Sequence, residues 1–111
     1  MPIFITQGRY TREAIKGMIV KPEDRYESLS RHVARTGGRV LSSYLTFGEY
    51  DFLTVIEAPS ETQMAAALLA AAGSGGVTGL RTTLAMSSIE AKGAFAAAGD
   101  LAPSYRAPGG A

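Results

Sequence analysis

An α+β fold built on an antiparallel four-stranded sheet follows from three observations in the 111-residue sequence. Strand-like and helix-like patterns succeed one another in the order β-α-β-β-α-β, with one further helix at the end. A Gly-Glu-Tyr-Asp corner at Gly48–Asp51 joins two strand-forming runs into a hairpin. Both sides of the strands are apolar: Ile3 and Ile5 oppose Phe4, Phe52 and Ile56 oppose Leu53 and Val55, and Val40 opposes Leu41 and Leu45. An antiparallel sheet with one wet face alternates apolar with polar residues, and this one does not. Helices cover one side. The economical cover for the other is the sheet of a second copy, so a homodimer or a higher assembly of dimers is expected.

The elements are justified in turn by local chemistry. Pro2 to Gly8 is a compact run centred on Ile3, Phe4 and Ile5 and reads as the first strand. Thr11 suits the cap of a short helix to about Met18. Pro22, Glu23 and Asp24 suit the start of a longer helix whose apolar stripe is Tyr26, Leu29 and Val33. Gly37-Gly38 stops that helix, because glycine accepts the left-handed terminal conformation without a Cβ penalty. Arg39 to Phe47 and Asp51 to Glu57 form the hairpin strands. Ser60 opens an Ala-Leu helix that ends at Gly73-Ser74-Gly75-Gly76. Val77 to Met86 is the fourth strand, with Gly79 marking a bulge. Ser87-Ser88-Ile89-Glu90 caps a last, shorter helix. The order is the ferredoxin-like split βαβ plan. Residues 1–99 are expected to form one domain, and the Pro- and Gly-rich segment 100–111 a flexible tail.

Composition excludes several function classes. With 46% hydrophobic residues, 19% charged residues and a net charge of +1, the chain has no basic face to follow a phosphate backbone. It has no cysteine, hence no disulfide framework and no thiolate chemistry. No apolar run reaches the length of a membrane span, and the opening Met1-Pro2-Ile3-Phe4 enters a strand with no signal-peptide pattern. A cytoplasmic protein is expected, without nucleic-acid or membrane partners.

Gly48-Glu49-Tyr50-Asp51, Gly8-Arg9-Tyr10-Thr11, Gly37-Gly38, Tyr44, Glu57-Ala58-Pro59 and Leu80-Arg81-Thr82-Thr83 together resemble the GYD domain family. These are small bacterial proteins of ferredoxin-like fold, and the resemblance covers roughly residues 2 to 90. It implies a dimeric α+β barrel, in which two sheets pair face to face across a two-fold axis. It implies no particular reaction. Ala14 and Lys16-Gly17-Met18 depart from the more glycine- and asparagine-like pattern of the family.

Five residues are candidates for contact with a ligand: Tyr10, Tyr44, Tyr50, Asp51 and Arg81. The corner has two readings. In one, Gly48 makes the turn, Asp51 binds turn amides and Tyr50 packs; in the other, Tyr50 and Asp51 face a barrel mouth. Arg81, on an apolar strand, needs an acceptor, and a buried ion pair with Glu57 or Asp51 is favoured over an anionic ligand. The single histidine, His32, sits beside the helical stripe and is expected to be partly exposed. One histidine cannot close a zinc site, and no cofactor or metal is expected, although some dimeric α+β barrels hold haem through one histidine. Gly73-Ser74-Gly75-Gly76 lacks the lysine of a phosphate loop and is a helix stop. The leading functional expectation is a small molecule bound between sheet and helices, with cofactor-independent isomerase, decarboxylase or monooxygenase-like chemistry open to it. The alternatives are a non-catalytic assembly or interaction module and a ligand-sensing regulatory domain.

Overall fold

The structure, a computed structural model, describes residues 1–110. Strand β1 (Ile3–Tyr10) leads into helices α1 (Arg12–Val20) and α2 (Arg25–Ala34), then strands β2 (Arg39–Leu45) and β3 (Phe52–Glu57). Helix α3 (Glu61–Gly73), strand β4 (Val77–Ala85) and helix α4 (Ser88–Leu101) follow, with a short 3-10 turn at Ala102–Ser104. The strands lie in the order β2-β3-β1-β4, each pair antiparallel. That order is the ferredoxin-like plan.

Each helix start has a side chain on its free amides. Thr11 accepts from Ala14 N–H, Ser60 from Gln63 N–H, and Ser87 with Glu90 forms a reciprocal capping box. Caps of this kind contribute about 1 kcal/mol each. Helix α2 begins at Arg25, with Asp24 rather than the Pro22 turn as its start, because the Asp24 carboxylate accepts the Tyr26 amide. Of the predicted stripe, Val33 is buried and Leu29 packs against the core, while Tyr26 is exposed.

The core lies between the helices and one side of the sheet. Phe4, Val40 and Ile56 meet Val33 of α2, Met64 of α3 and Ala58, with Leu29 and Leu68 beside them. Strand registers assign the two faces. Phe4 opposes Ile56 and Leu84, and these point to the helices, whereas Ile5 opposes Val55 and Thr83 on the other side.

Strand β2 departs from simple alternation. Its register with β3 slips between Val40 and Ser42, so Leu41 is the extra residue of a bulge. The slip returns Leu45 to the side of Val40, opposite Phe52, and turns Tyr44 to the far side, opposite Leu53. A single inserted residue thus reverses the expected facing of everything after it. The predicted bulge at Gly79 is present as a second slip, between Gln7 and Arg9 of β1, where Gly79 has φ +61°.

Among the described residues, no helix covers the far side of the sheet. Ile3, Ile5, Leu53 and Val55 lie half-buried there, with Tyr44 61% exposed at its edge. Helix α4 is not the short closing helix expected: it runs for 14 residues with no buried side chain. Ile89, Phe95 and Leu101 stand exposed along it. The described chain is correspondingly elongated, at 62 × 31 × 22 Å with a radius of gyration of 18.0 Å. A compact chain of this length would have about 13 Å. Among the described residues, no helix is long and apolar enough to cross a membrane.

Gly38 lets β2 enter beside β3, because a Cβ there would strike the Glu57 carbonyl. Gly38→Ala is expected to destabilise the fold by about 1–3 kcal/mol, the usual cost of overpacking against backbone. Urea denaturation followed by circular dichroism measures it; an unchanged midpoint would contradict this close approach.

Candidate functional site

The corner between β2 and β3 is a hydrogen-bonded knot. Residues 46–51 form it, with Gly48 at φ +139°, a conformation that side-chain-bearing residues rarely adopt. Asp51 N–H donates to Gly8 O (2.8 Å), and Tyr10 N–H donates to Asp51 Oδ2 (2.9 Å). Thr46 N–H donates to Asp51 O (2.9 Å), and the Thr46 hydroxyl donates to Tyr50 O (2.7 Å). Arg9 Nε donates to Glu49 O (2.7 Å), and the guanidinium lies 5.8 Å from the centre of the Tyr50 ring. The Asp51 carboxylate is therefore engaged by the main-chain amide of Tyr10 at the end of β1, and the Tyr50 ring faces a cation.

A cavity of about 500 Å³ opens between the helix layer and the sheet. Leu29, Val33, Met64 and Leu68 form its roof, and Phe52 and Ile56 part of its floor. Tyr10 closes one side, its ring 5.1 Å from that of Phe52. Charged side chains reach the lining only at Lys21, Glu23 and Arg25, in and beside the α1–α2 connection, where Arg25 pairs with Glu23 at 3.0 Å. His32 also lines the cavity. Its Nε2–H donates to Ala67 O (3.0 Å), the only sense available since a carbonyl cannot donate, and so joins α2 to α3. A second groove runs along the β2 edge between Ile15, Ile19 and Phe47.

Three hydroxyls on the cavity floor are not evident from the sequence. Ser43 opposes Thr54, Thr54 opposes Thr6, and Thr6 opposes Thr82, which makes one row across the whole sheet on its helix side. Thr6 and Thr54 are 2% and 5% exposed. The Thr6 and Thr82 hydroxyls lie 2.8 Å apart, and Thr54 Oγ1 reaches Thr6 O only at 3.4 Å. Ser43, Thr54 and Thr6 line the cavity. Threonine within apolar strands is the available signal, but only the registers align the strands into a row.

The structure brings three of the five candidate residues, Tyr10, Tyr44 and Asp51, to one groove, and not Tyr50 or Arg81. Tyr10 borders the cavity and the edge groove, and Asp51 and Tyr44 border the groove alone. Tyr44 and Arg81 both face the bare side of the sheet, but on β2 and β4, its opposite edges. The expected buried ion pair of Arg81 is corrected. Arg81 is exposed opposite Gln7, while Glu57 pairs with Arg39 at 2.7 Å and Asp51 with the Tyr10 amide. Among the described residues, no group of three or more His, Cys, Asp or Glu side chains is placed to hold a metal ion.

Fold and corner define a small α+β protein of the ferredoxin-like plan, distinguished by its Gly-x-Tyr-Asp knot. The chain belongs to the GYD domain family, whose model matches residues 4–95. It is 33% identical over 78 residues to the glutamine synthetase and cystathionine beta-lyase binding protein of Thermus thermophilus, a match covering 69% of this chain and 81% of that one. The crystal structure of TTHA0845, also from Thermus thermophilus, shares the fold, with a TM-score of 0.51 at 18% identity. That match covers 79% of this chain and 96% of the other.

Asp51→Ala removes the acceptor of the Tyr10 amide and is expected to cost about 1–3 kcal/mol, the range for leaving a part-buried donor unsatisfied. Asp51→Asn keeps a side-chain oxygen and should recover most of that loss. Glu49→Ala, which alters a side chain the knot does not use, should stay within about 0.5 kcal/mol of the parent. Chemical denaturation of the three variants measures this. Equal losses for all three would show that the knot does not depend on the carboxylate.

Proposed function

We propose that the protein is a homodimeric binding module of the cytoplasm. Two copies pair through the bare faces of their sheets and present their helices to a protein partner. The observation that carries this reading is the uncovered apolar side of the sheet, where Ile3, Ile5, Leu53 and Val55 have no helix over them. Paired sheets sit about 10 Å apart, close enough for these side chains to interdigitate. The apolar residues left along α4 and at Phe47 give such a dimer further surface for a partner. The name of the Thermus relative, a binding protein for two enzymes, supports protein docking as its mode of action. An enzyme subunit is the class of partner this favours.

A second reading is favoured by the cavity. Its volume, apolar lining and few polar groups fit the pattern of small-molecule sites, and Tyr10 lies on its wall. A small organic molecule held there would make the module ligand-responsive. Cofactor-independent turnover would require a general acid or base, and His32, whose Nε2 is engaged by Ala67 O, lines the cavity with Tyr10, Lys21 and Glu23.

Val55→Lys places an ammonium at the centre of the bare face. The parent protein should be a dimer or a multiple of dimers by native mass spectrometry. The variant should dissociate at least about 100-fold more readily, as an unpaired buried charge costs roughly 3 kcal/mol. A folded variant that dimerises as the parent does would refute the sheet pairing. Co-sedimentation with purified glutamine synthetase then tests the partner class.

A further inference from the structure

We propose that the cavity between helices and sheet takes a neutral, mainly apolar molecule bearing one ketone or alcohol edge, which the hydroxyl row Ser43–Thr54–Thr6 orients by hydrogen bonds. This rests on the small-molecule reading of the cavity and adds to it the class of ligand.

The argument starts from what the row does to the core. Thr6 and Thr54 are almost wholly buried in the middle of an apolar layer, with Phe4 and Ile56 beyond them in the same strands. Valine, close to threonine in size, would fill these positions without a hydroxyl to satisfy. The hydroxyls are only partly used. Thr6 shares a hydrogen bond with Thr82, and each oxygen of that pair retains acceptor capacity. The contact of Thr54 with Thr6 O is long at 3.4 Å. Ser43 continues the row to the edge strand and faces the same cavity. The floor therefore offers both donors and acceptors in a line, and hydroxyls rotate to suit either a carbonyl or an alcohol.

Charge decides the rest. Away from the α1–α2 connection the lining is uncharged, and Lys21, Glu23 and Arg25 at that connection are exposed. A carboxylate or phosphate pushed to the floor would lose its water and meet no cation there. An ammonium would meet no anion. Of two molecules of equal shape, the neutral one enters. The apolar walls of Leu29, Val33, Met64 and Leu68 set a hydrocarbon body, and the volume of about 500 Å³ falls within the range of sites for drug-sized ligands.

The test uses the full chain and three probes of nearly equal shape: ethylnaphthalene, acetylnaphthalene and naphthoate. Titrations followed by methyl NMR of Leu29, Ile56 and Leu68 report affinity and place each probe. Acetylnaphthalene should bind about 10-fold more tightly than ethylnaphthalene, a factor matching one net hydrogen bond. Naphthoate should bind at least about 10-fold more weakly than the ketone. The paired substitution Ser43→Ala and Thr54→Val, which leaves Thr6 alone of the row, should reduce the preference for the ketone at least about 3-fold. Naphthoate binding as tightly as the ketone, or a ketone preference left unchanged by the paired substitution, would overturn the ligand class while the cavity remained a small-molecule site. Failure of all three probes to bind below about 1 mM would remove the small-molecule reading and this proposal with it.

Discussion

The end of strand β1 is held by a side chain acting as a length of backbone. Up to Gly8, β1 pairs with β3 residue for residue. Beyond Phe52 the β3 chain has already turned into the corner, so Tyr10 has no strand residue to receive its amide. Asp51 closes the gap. Its own amide donates to Gly8 O while its carboxylate accepts from Tyr10, so one residue brackets two positions of the neighbouring strand. On the other side of β1, the ladder to β4 slips within the same stretch, and Gly79 absorbs the slip with a left-handed backbone. Were the Asp51 bracket lost, β1 would be loosened on both flanks at once. Tyr10 and Phe52, which close one side of the cavity, stand on that segment.

Much of this architecture is legible in the sequence because it is written in local chemistry. Thr11, Ser60 and Ser87 cap the helices they are expected to cap, since an N-cap is a matter of one side chain and an amide two or three residues away. The double apolar character of Ile5 and Val55 against Phe4 and Ile56 foretells two faces of the sheet, because alternation along a strand is local too. What escapes is relational. The bulge at Leu41 adds one residue with no composition of its own, and it moves Leu45 and Tyr44 to sides opposite those expected. The carboxylates expected beside Arg81 are given by the register to other partners, Glu57 to Arg39 and Asp51 to a main-chain amide. The hydroxyl row is invisible until three registers are known together. The last helix, expected to be short, runs through Gly93 and Gly99 to Leu101.

The two sides of the sheet are built on opposite principles. The bare side is apolar and shallow, with half-buried aliphatic side chains that another flat surface can meet. Its margins are polar, at the Arg39–Glu57 pair and at Arg81 beside Gln7. An apolar centre with a polar rim is the anatomy of a protein interface. The helix side is deep and carries its polar groups inward, as a row of hydroxyls beneath an apolar roof. The proposed association and the proposed recognition of a small molecule thus fall on separate faces of one sheet, and β1 and β3, at its centre, contribute residues to both.

Gly8 lies under two side chains from different strands. A Cβ built there would come within 2.7 Å of Phe52 Cζ and 2.8 Å of Leu80 Cδ2. These atoms close over the glycine from β3 and from β4. Both are the far ends of side chains, so alanine fits there only if Phe52 and Leu80 move aside together. In lineage terms, the positions of Gly8, Phe52 and Leu80 form a linked set. A chain that acquires a side chain at the first must shift or shrink both of the others. Drift at these three positions should therefore be coupled, and at Phe52 and Leu80 it would also reshape the wall of the cavity.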